Sequence, residues 1–118
     1  MADALKVPAH VRPYVDALGL QLAARFLMEF GGSVGYLSVN PRQDAEIARF
    51  LGREMTIALA RSVGEGPVAF PTARPFLAKV LRDNGLNNQQ IARRLSVTYR
   101  TVRSWLNGVD PNQMSLFS

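Results

Sequence analysis

Two short helical patterns with a very short break between them constrain the fold of this chain more than any other feature of its sequence. Asn87 and Gln90 can form a reciprocal capping box that starts a helix running to about Leu95. Thr98 is a good N-cap for a second helix over residues 99–106. So short a connection makes the two helices cross at a steep angle instead of continuing end to end.

Apolar spacing divides both helices into an inward and an outward face. Ala92 lies where the helices cross, and its small side chain lets them approach closely and pushes the second helix out of the body of the domain. The outward positions of the second helix are therefore open to a partner. The inward residues are Ile91, Ala92, Leu95, Val102, Trp105 and Leu106.

The outward face of the second helix carries side chains that can reach DNA. Arginine can donate two hydrogen bonds to guanine O6 and N7, whereas threonine, serine and tyrosine can contact phosphate or the thymine methyl group. Arg100 and Arg103 are therefore the leading candidates for reading bases. The base-reading candidates are Tyr99, Arg100, Thr101, Arg103 and Ser104, and the phosphate-contacting candidates are Asn88, Gln89, Arg93, Arg94, Thr98 and Asn107.

The stretch Gln89–Leu106 closely resembles the bacterial helix-turn-helix consensus, because small, apolar and capping residues all occupy the expected places. It departs from the consensus at Ser96, where a turn glycine is usual and serine can serve at some strain. A preceding helix ending at Asn84-Gly85 would complete a three-helix domain over residues 72–108. The resemblance implies double-stranded DNA as a partner. An ordinary basic helical hairpin is the alternative.

Charge is unevenly divided along the chain. Residues 1–71 hold seven basic and seven acidic side chains, whereas residues 72–118 hold seven basic and two acidic ones and carry the whole net charge of +5. Basic side chains that neutralise phosphates release condensed counterions, so this distribution favours a polyanion as the partner of the second segment. A solvated basic surface is the alternative.

The neutral half contains an approximate repeat with an offset of 33 residues, visible when Leu18-Gly19 is set beside Leu51-Gly52. Each copy has a helical pattern on both sides of the Leu-Gly pair. Glycines then follow, at Gly31-Gly32 and at residues 64–66, where they can end a helix in the left-handed conformation. Coincidence in a sequence rich in alanine and leucine is the alternative to a true repeat.

A short β-prone run ends each copy of the repeat, over residues 34–39 and 67–70. Two such strands are marginal in water, so we expect them to pack on the helices or to pair with strands of a second subunit. The sequence thus predicts a mainly α-helical protein with a few short β-strands. A helix and short-strand dimerisation domain over residues 1–71 precedes the helix-turn-helix domain.

The composition excludes several kinds of site. The chain has no cysteine and a single histidine, His10, so disulfides, thiolate chemistry and Cys/His metal clusters are excluded. No catalytic set or glycine-rich phosphate loop can be assembled, so we expect no enzyme activity, cofactor or metal. No apolar window is long enough to span a membrane and no signal peptide is recognisable. We therefore expect a bacterial cytoplasmic, nucleoid-associated protein.

The order of these parts resembles the Mor/C family of phage middle- and late-gene transcription activators and their bacterial relatives, over roughly residues 12–107. The resemblance implies a homodimer that binds an inverted repeat and activates transcription by contacting RNA polymerase. Departures occur at Ser38, where a proline is usual, and at residues 64–66, where a double glycine is usual. The residues that carry the resemblance are Leu18-Gly19, Phe30-Gly31-Gly32, Tyr36-Leu37, Leu51-Gly52, Gly64 and Phe70-Pro71.

Residues 109–118 form a polar tail that contains a short apolar motif. The residues Gln113, Met114, Leu116 and Phe117 resemble the bacterial sliding-clamp-binding peptide, in which the glutamine anchors the peptide and the last two side chains fill an apolar pocket. The resemblance implies the DNA sliding clamp as a partner, and hence an alternative function as a replication-linked DNA-binding adaptor. A tail that binds nothing is the simpler interpretation.

Overall fold

The computed structural model describes residues 6–107, which form two compact units that divide between Ala73 and Arg74. This part of the chain contains seven helices and two short strands. The prediction of a mainly α-helical fold with a few short strands is therefore confirmed. No helix among the described residues is both long enough and apolar enough to cross a membrane.

The N-terminal unit shows the sequence repeat as a repeated order of helix, helix and strand. At the equivalent positions Gly19 and Gly52, φ is +81° and +85° and ψ is 164° and 161°. Each of these glycines turns the chain directly from one helix into the next, in a conformation that is strained for other residues. The elements are α1 (Arg12–Leu18), α2 (Leu20–Phe30), β1 (Val34–Leu37), α3 (Glu46–Leu51), α4 (Arg53–Val63) and β2 (Gly66–Ala69).

The glycines that follow α2 and α4 lie where these helices end. Gly32, Gly64 and Gly66 have φ of +87°, +116° and +113°, on the left-handed side that the sequence predicted and that favours glycine. Gly31 differs from the prediction, because its φ of −58° and ψ of 136° are those of an extended residue. The chain therefore leaves α2 in an extended form before it turns at Gly32.

A cluster of five aromatic rings forms the core of the N-terminal unit. Phe26 is fully buried, and its ring centroid lies 4.9 Å from that of Phe30 and 5.1 Å from that of Phe70. Tyr14 and Phe50 complete the cluster at centroid distances of 6.1 and 6.4 Å from Phe26, and burial raises the pKa of the Tyr14 phenol. The rings come from helices of both repeats and from the residue after β2, so the cluster joins the two copies.

The two strands pair with each other in antiparallel orientation, with Val34 opposite Ala69. The sequence left open whether they would pack on the helices or pair across subunits, and within one chain they do pair. Their inner face lies on the core, where Leu37 is fully buried. Gly35 makes this approach possible, because a Cβ at that position would lie 2.7 Å from the Phe70 ring. Each strand has four residues, and β1 is two residues shorter than expected.

The C-terminal unit consists of α5 (Arg74–Asp83), α6 (Asn88–Leu95) and α7 (Tyr99–Leu106). Helix α5 packs against both α6 and α7, which also pack against each other. The apolar faces expected from the spacing meet in one small core. Its buried residues include Phe76, Leu77, Ala78, Val80, Leu81, Ile91, Ala92, Leu95 and Val102.

Candidate nucleic-acid interface

A capping box fixes the start of α6, as the sequence predicted. The Gln90 amide N–H donates to Asn87 Oδ1 at 2.9 Å, and the Asn87 amide N–H donates to Gln90 Oε1 at 2.8 Å. Two backbone donors that have no partner within the helix are satisfied in this way. The capping box therefore fixes Asn87 as the residue at which α6 begins.

The turn between α6 and α7 is a Schellman motif with serine at the left-handed position. The Val97 amide N–H donates to the Ala92 carbonyl at 3.0 Å and the Ser96 amide N–H donates to that of Arg93. Ser96 has φ 57° and ψ 45°, so this serine adopts the left-handed conformation of the turn glycine that it replaces, which is less favourable for serine than for glycine. The same pair of bonds ends α5, where the left-handed residue is Gly85.

A threonine pair fixes the start of α7. The Thr101 amide N–H donates to Thr98 Oγ1 at 3.1 Å, and the two hydroxyl oxygens lie 2.9 Å apart. Thr98 is therefore the N-cap that the sequence predicted. Thr101 is half-buried and its hydroxyl is hydrogen-bonded to that of Thr98. It is therefore less accessible to a DNA base than the sequence analysis expected.

Four exposed side chains follow one side of α7, and we call them the reading face. Tyr99, Arg103 and Asn107 are spaced four positions apart, and Arg100 lies three positions before Arg103, so the four side chains fall on one side of the helix. Tyr99 leaves 48% of its surface exposed although it is aromatic. The members of the reading face are Tyr99, Arg100, Arg103 and Asn107.

Ser104 does not belong to this face, and its predicted exposure was wrong. The residue is only 3% exposed, and its hydroxyl donates to the Arg100 carbonyl oxygen at 3.2 Å. A serine in a helix can bond back to the preceding turn in this way, and its short side chain does not extend past its larger neighbours. Trp105 and Leu106, expected on the inward face, are half-buried.

Helix α6 presents a second polar surface on the side opposite its buried residues. Arg93, Arg94 and Gln90 lie there with Leu86 and line an open groove of about 550 Å³. Gln89 is also exposed. Two arginines beside a groove make a surface that suits an anionic group such as a phosphate.

Arg82 adds a cation that the sequence analysis did not include among the candidates. Its Nη2 donates to Asn88 Oδ1 at 3.2 Å, which places it beside the first residue of α6. Asn88 itself is half-buried. The available signal was the basic excess of residues 72–118, to which Arg82 contributes, but only the folded arrangement shows which residue the arginine adjoins.

Within residues 6–107, no carboxylate forms an ion pair with a basic side chain of α6 or α7. Within residues 6–107 the single ion pair joins Arg42 and Asp44, at 3.3 Å in the N-terminal unit. Among the described residues, the exposed arginines of α6 and α7 are thus accessible to an anionic partner. No group of acidic, cysteine or histidine side chains suited to a metal ion occurs in this part of the chain. The clamp-like residues Gln113, Met114, Leu116 and Phe117 lie outside the described residues.

Comparison with known proteins agrees with this geometry in the C-terminal unit. The model of a family described as a Homeodomain-like domain matches residues 76–110, which include most of α5 and all of α6 and α7. No curated protein matches the chain, and no solved structure matches it. The chain thus carries a homeodomain-like helix-turn-helix domain of the DNA-binding type.

Proposed function

We propose that the protein is a sequence-specific transcription regulator that binds an inverted DNA repeat as a homodimer. The observation that carries the proposal is the reading face of α7. It places two exposed arginines and an exposed tyrosine on one side of the second helix of a helix-turn-helix, the element that enters the major groove in such domains.

Arg100 and Arg103 read base edges in this proposal, and Tyr99 contacts the thymine methyl group or a phosphate. The arginines are suited to guanine because each can donate two hydrogen bonds to O6 and N7. Phosphate contacts hold the domain in register and come from side chains on and beside α6 and α7. They are Asn88, Gln89, Arg93, Arg94, Thr98 and Asn107, with Arg82 beside them.

In this proposal the N-terminal unit forms the dimer contact. It thereby sets the distance between the two DNA-binding units of the dimer. It is neutral in charge and contains none of the reading face. Two-fold symmetry would place the half-sites about 34 Å apart or a multiple of that distance. The resemblance to the Mor/C family supports the dimer and favours activation through contact with RNA polymerase over repression.

Selection of bound fragments from random-sequence DNA tests the proposal. We expect enrichment of an inverted repeat with guanine in each half-site, followed by an affinity for that repeat that falls steeply as salt is raised in fluorescence-anisotropy titrations. Arg49→Ala is the control variant, because it removes an exposed arginine from the N-terminal unit. It should select the same repeat and bind it with the same affinity as the unchanged chain. Failure to enrich any sequence, together with an affinity that does not depend on salt, would exclude the function.

A further inference from the structure

A hydrogen bond between Arg82 and Asn88 joins the end of α5 to the start of α6, and we call these residues the Arg82–Asn88 pair. Arg82 lies in the last turn of α5 and Asn88 is the first residue of α6. Arg82 Nη2 donates to Asn88 Oδ1 at 3.2 Å. Because the two helices pack against each other, the fold keeps these two side chains together.

This bond decides which way the amide of Asn88 is turned. A guanidinium carries N–H donors and no acceptor, so the atom of Asn88 that faces Arg82 must be the oxygen. The amide nitrogen is bonded to the same carbon and therefore points away from Arg82. Nδ2 forms no hydrogen bond within residues 6–107. Asn88 thus offers donors to a partner, while its oxygen is engaged by Arg82.

Arg82 can bind a partner besides Asn88. The side chain is exposed, and its bond to Asn88 uses one of several N–H donors. Although Asp83 is its neighbour in sequence, no carboxylate among the described residues forms an ion pair with it. The pair therefore combines a positive charge with unused donors on both side chains, which suits an oxygen-rich anion.

We propose that the Arg82–Asn88 pair holds one phosphate of the DNA backbone, with Arg82 as the residue that positions Asn88. This inference rests on the proposed function and adds to it that the two residues act as one unit. Arg82 supplies the charge, and Asn88 Nδ2 donates to the same phosphate as the unused donors of Arg82. The pair reads no base, so it contributes to affinity and not to sequence preference.

The positioning matters because an asparagine amide has two different ends. A free amide can turn either its nitrogen or its oxygen towards a phosphate, and the oxygen is repelled by the phosphate oxygens. Arg82 removes that second orientation before DNA arrives, so less freedom is lost on binding. Lysine at position 82 would keep the charge but would lack the planar donor group that fixes the amide.

Arg82→Lys tests the positioning apart from the charge. In fluorescence-anisotropy titrations with the selected repeat, we expect the affinity to fall by about fivefold or more, with no change in the slope against salt. The base preference in the selection should also stay the same. Arg49→Lys is the matched control, because it makes the same exchange at an exposed arginine of the N-terminal unit. Full affinity in Arg82→Lys would show that Arg82 contributes charge alone, and the positioning would be wrong.

Asn88→Asp tests the direction of the amide. Aspartate can still accept from Arg82 and suits the first turn of a helix, so the melting temperature should not fall. It replaces the donor Nδ2 by an oxygen that repels phosphate, so the affinity should fall by about tenfold or more. Asn87→Asp is the control, because it adds the same charge one residue earlier and keeps the N-cap. Equal losses in the two variants would overturn the pair.

A double-mutant cycle tests whether the two residues act as one unit. If Arg82 acts through Asn88, the double variant Arg82→Met with Asn88→Ala should lose less affinity than the product of the two single losses. Losses that multiply would mean two independent contacts, which contradicts the positioning. Melting temperatures of all variants show that the C-terminal unit remains folded.

The outcomes separate the pair from the proposed function. If the unchanged chain selects a repeat and binds it with a steep salt dependence, but Arg82→Lys keeps full affinity and the single losses multiply, the pair is wrong and the proposed function stands. If the unchanged chain selects no sequence and its affinity does not depend on salt, both are excluded.

Discussion

At the scale of single residues, the two arginines of the reading face carry the strongest prediction. Arg100→Ala or Arg103→Ala should cost about 1–3 kcal/mol of binding free energy and relax the base preference at one position of each half-site, because a bidentate contact with guanine is lost. Competitive titration with half-site variants measures both effects.

The control for this prediction lies on α6. Arg93→Ala removes the same charge from a surface assigned to phosphate, so it should weaken binding to all sequences by similar factors. If Arg100→Ala also weakens all sequences equally, Arg100 does not read a base.

Ser96 gives a prediction about stability that is independent of DNA. Its left-handed backbone is favourable for glycine, and the same motif uses Gly85 at the end of α5. Ser96→Gly should therefore raise the free energy of unfolding by up to about 1 kcal/mol, and Gly85→Ala should lower it by about 1 kcal/mol.

Urea denaturation measures both changes at Ser96 and Gly85. A Cβ at Gly85 has no neighbour within 4 Å, so the second substitution isolates the cost of the backbone conformation. Ser96→Ala keeps the Cβ and should give no gain. A destabilised Ser96→Gly variant would show that the serine side chain contributes something that the backbone argument omits.

At the scale of secondary-structure elements, the position of β1 depends on a glycine. Gly35→Ala would bring a methyl group to 2.7 Å from the Phe70 ring and 3.1 Å from Ile47 Cδ1. Because the core must shift to accommodate it, we expect a loss of about 1–3 kcal/mol in thermal unfolding. Val34→Ala on the same strand, which changes an exposed residue, should stay within about 0.5 kcal/mol. Equal effects would mean that the close approach of strand and core is not the cause.

The elements could be predicted from the sequence to the extent that their signals are local. The caps at Asn87 and Thr98 and the turns at Gly19 and Gly52 are decided by residues within four positions, and the structure has them where the sequence indicated. The partner of β1 could not be predicted in this way, because β2 lies about thirty residues further on and strand pairing depends on the folded core.

The site could be predicted less completely for the same reason. Helical spacing identifies the centre of the outward face of α7, but not where that face borders the buried side. Ser104 lies at this border, where burial is decided by neighbours that are distant in sequence. The contact between Arg82 and Asn88 likewise requires α5 and α6 to be folded together.

At the scale of the whole molecule, the proposed function assigns DNA contacts to the basic C-terminal unit and the dimer contact to the neutral N-terminal unit. The salt dependence of DNA binding tests this assignment. If Arg93 and Arg94 of both copies neutralise phosphates, at least four counterions are released and log K should fall against log salt with a slope of about −4 or steeper. Arg93→Ala should reduce the magnitude of that slope by roughly 2 for the dimer, since each copy loses one contact. Arg49→Ala, which removes an equal charge from the neutral unit, should leave the slope unchanged. A slope that responds equally to both substitutions would mean that DNA binding depends on net charge alone, and that the C-terminal unit has no localised phosphate contacts.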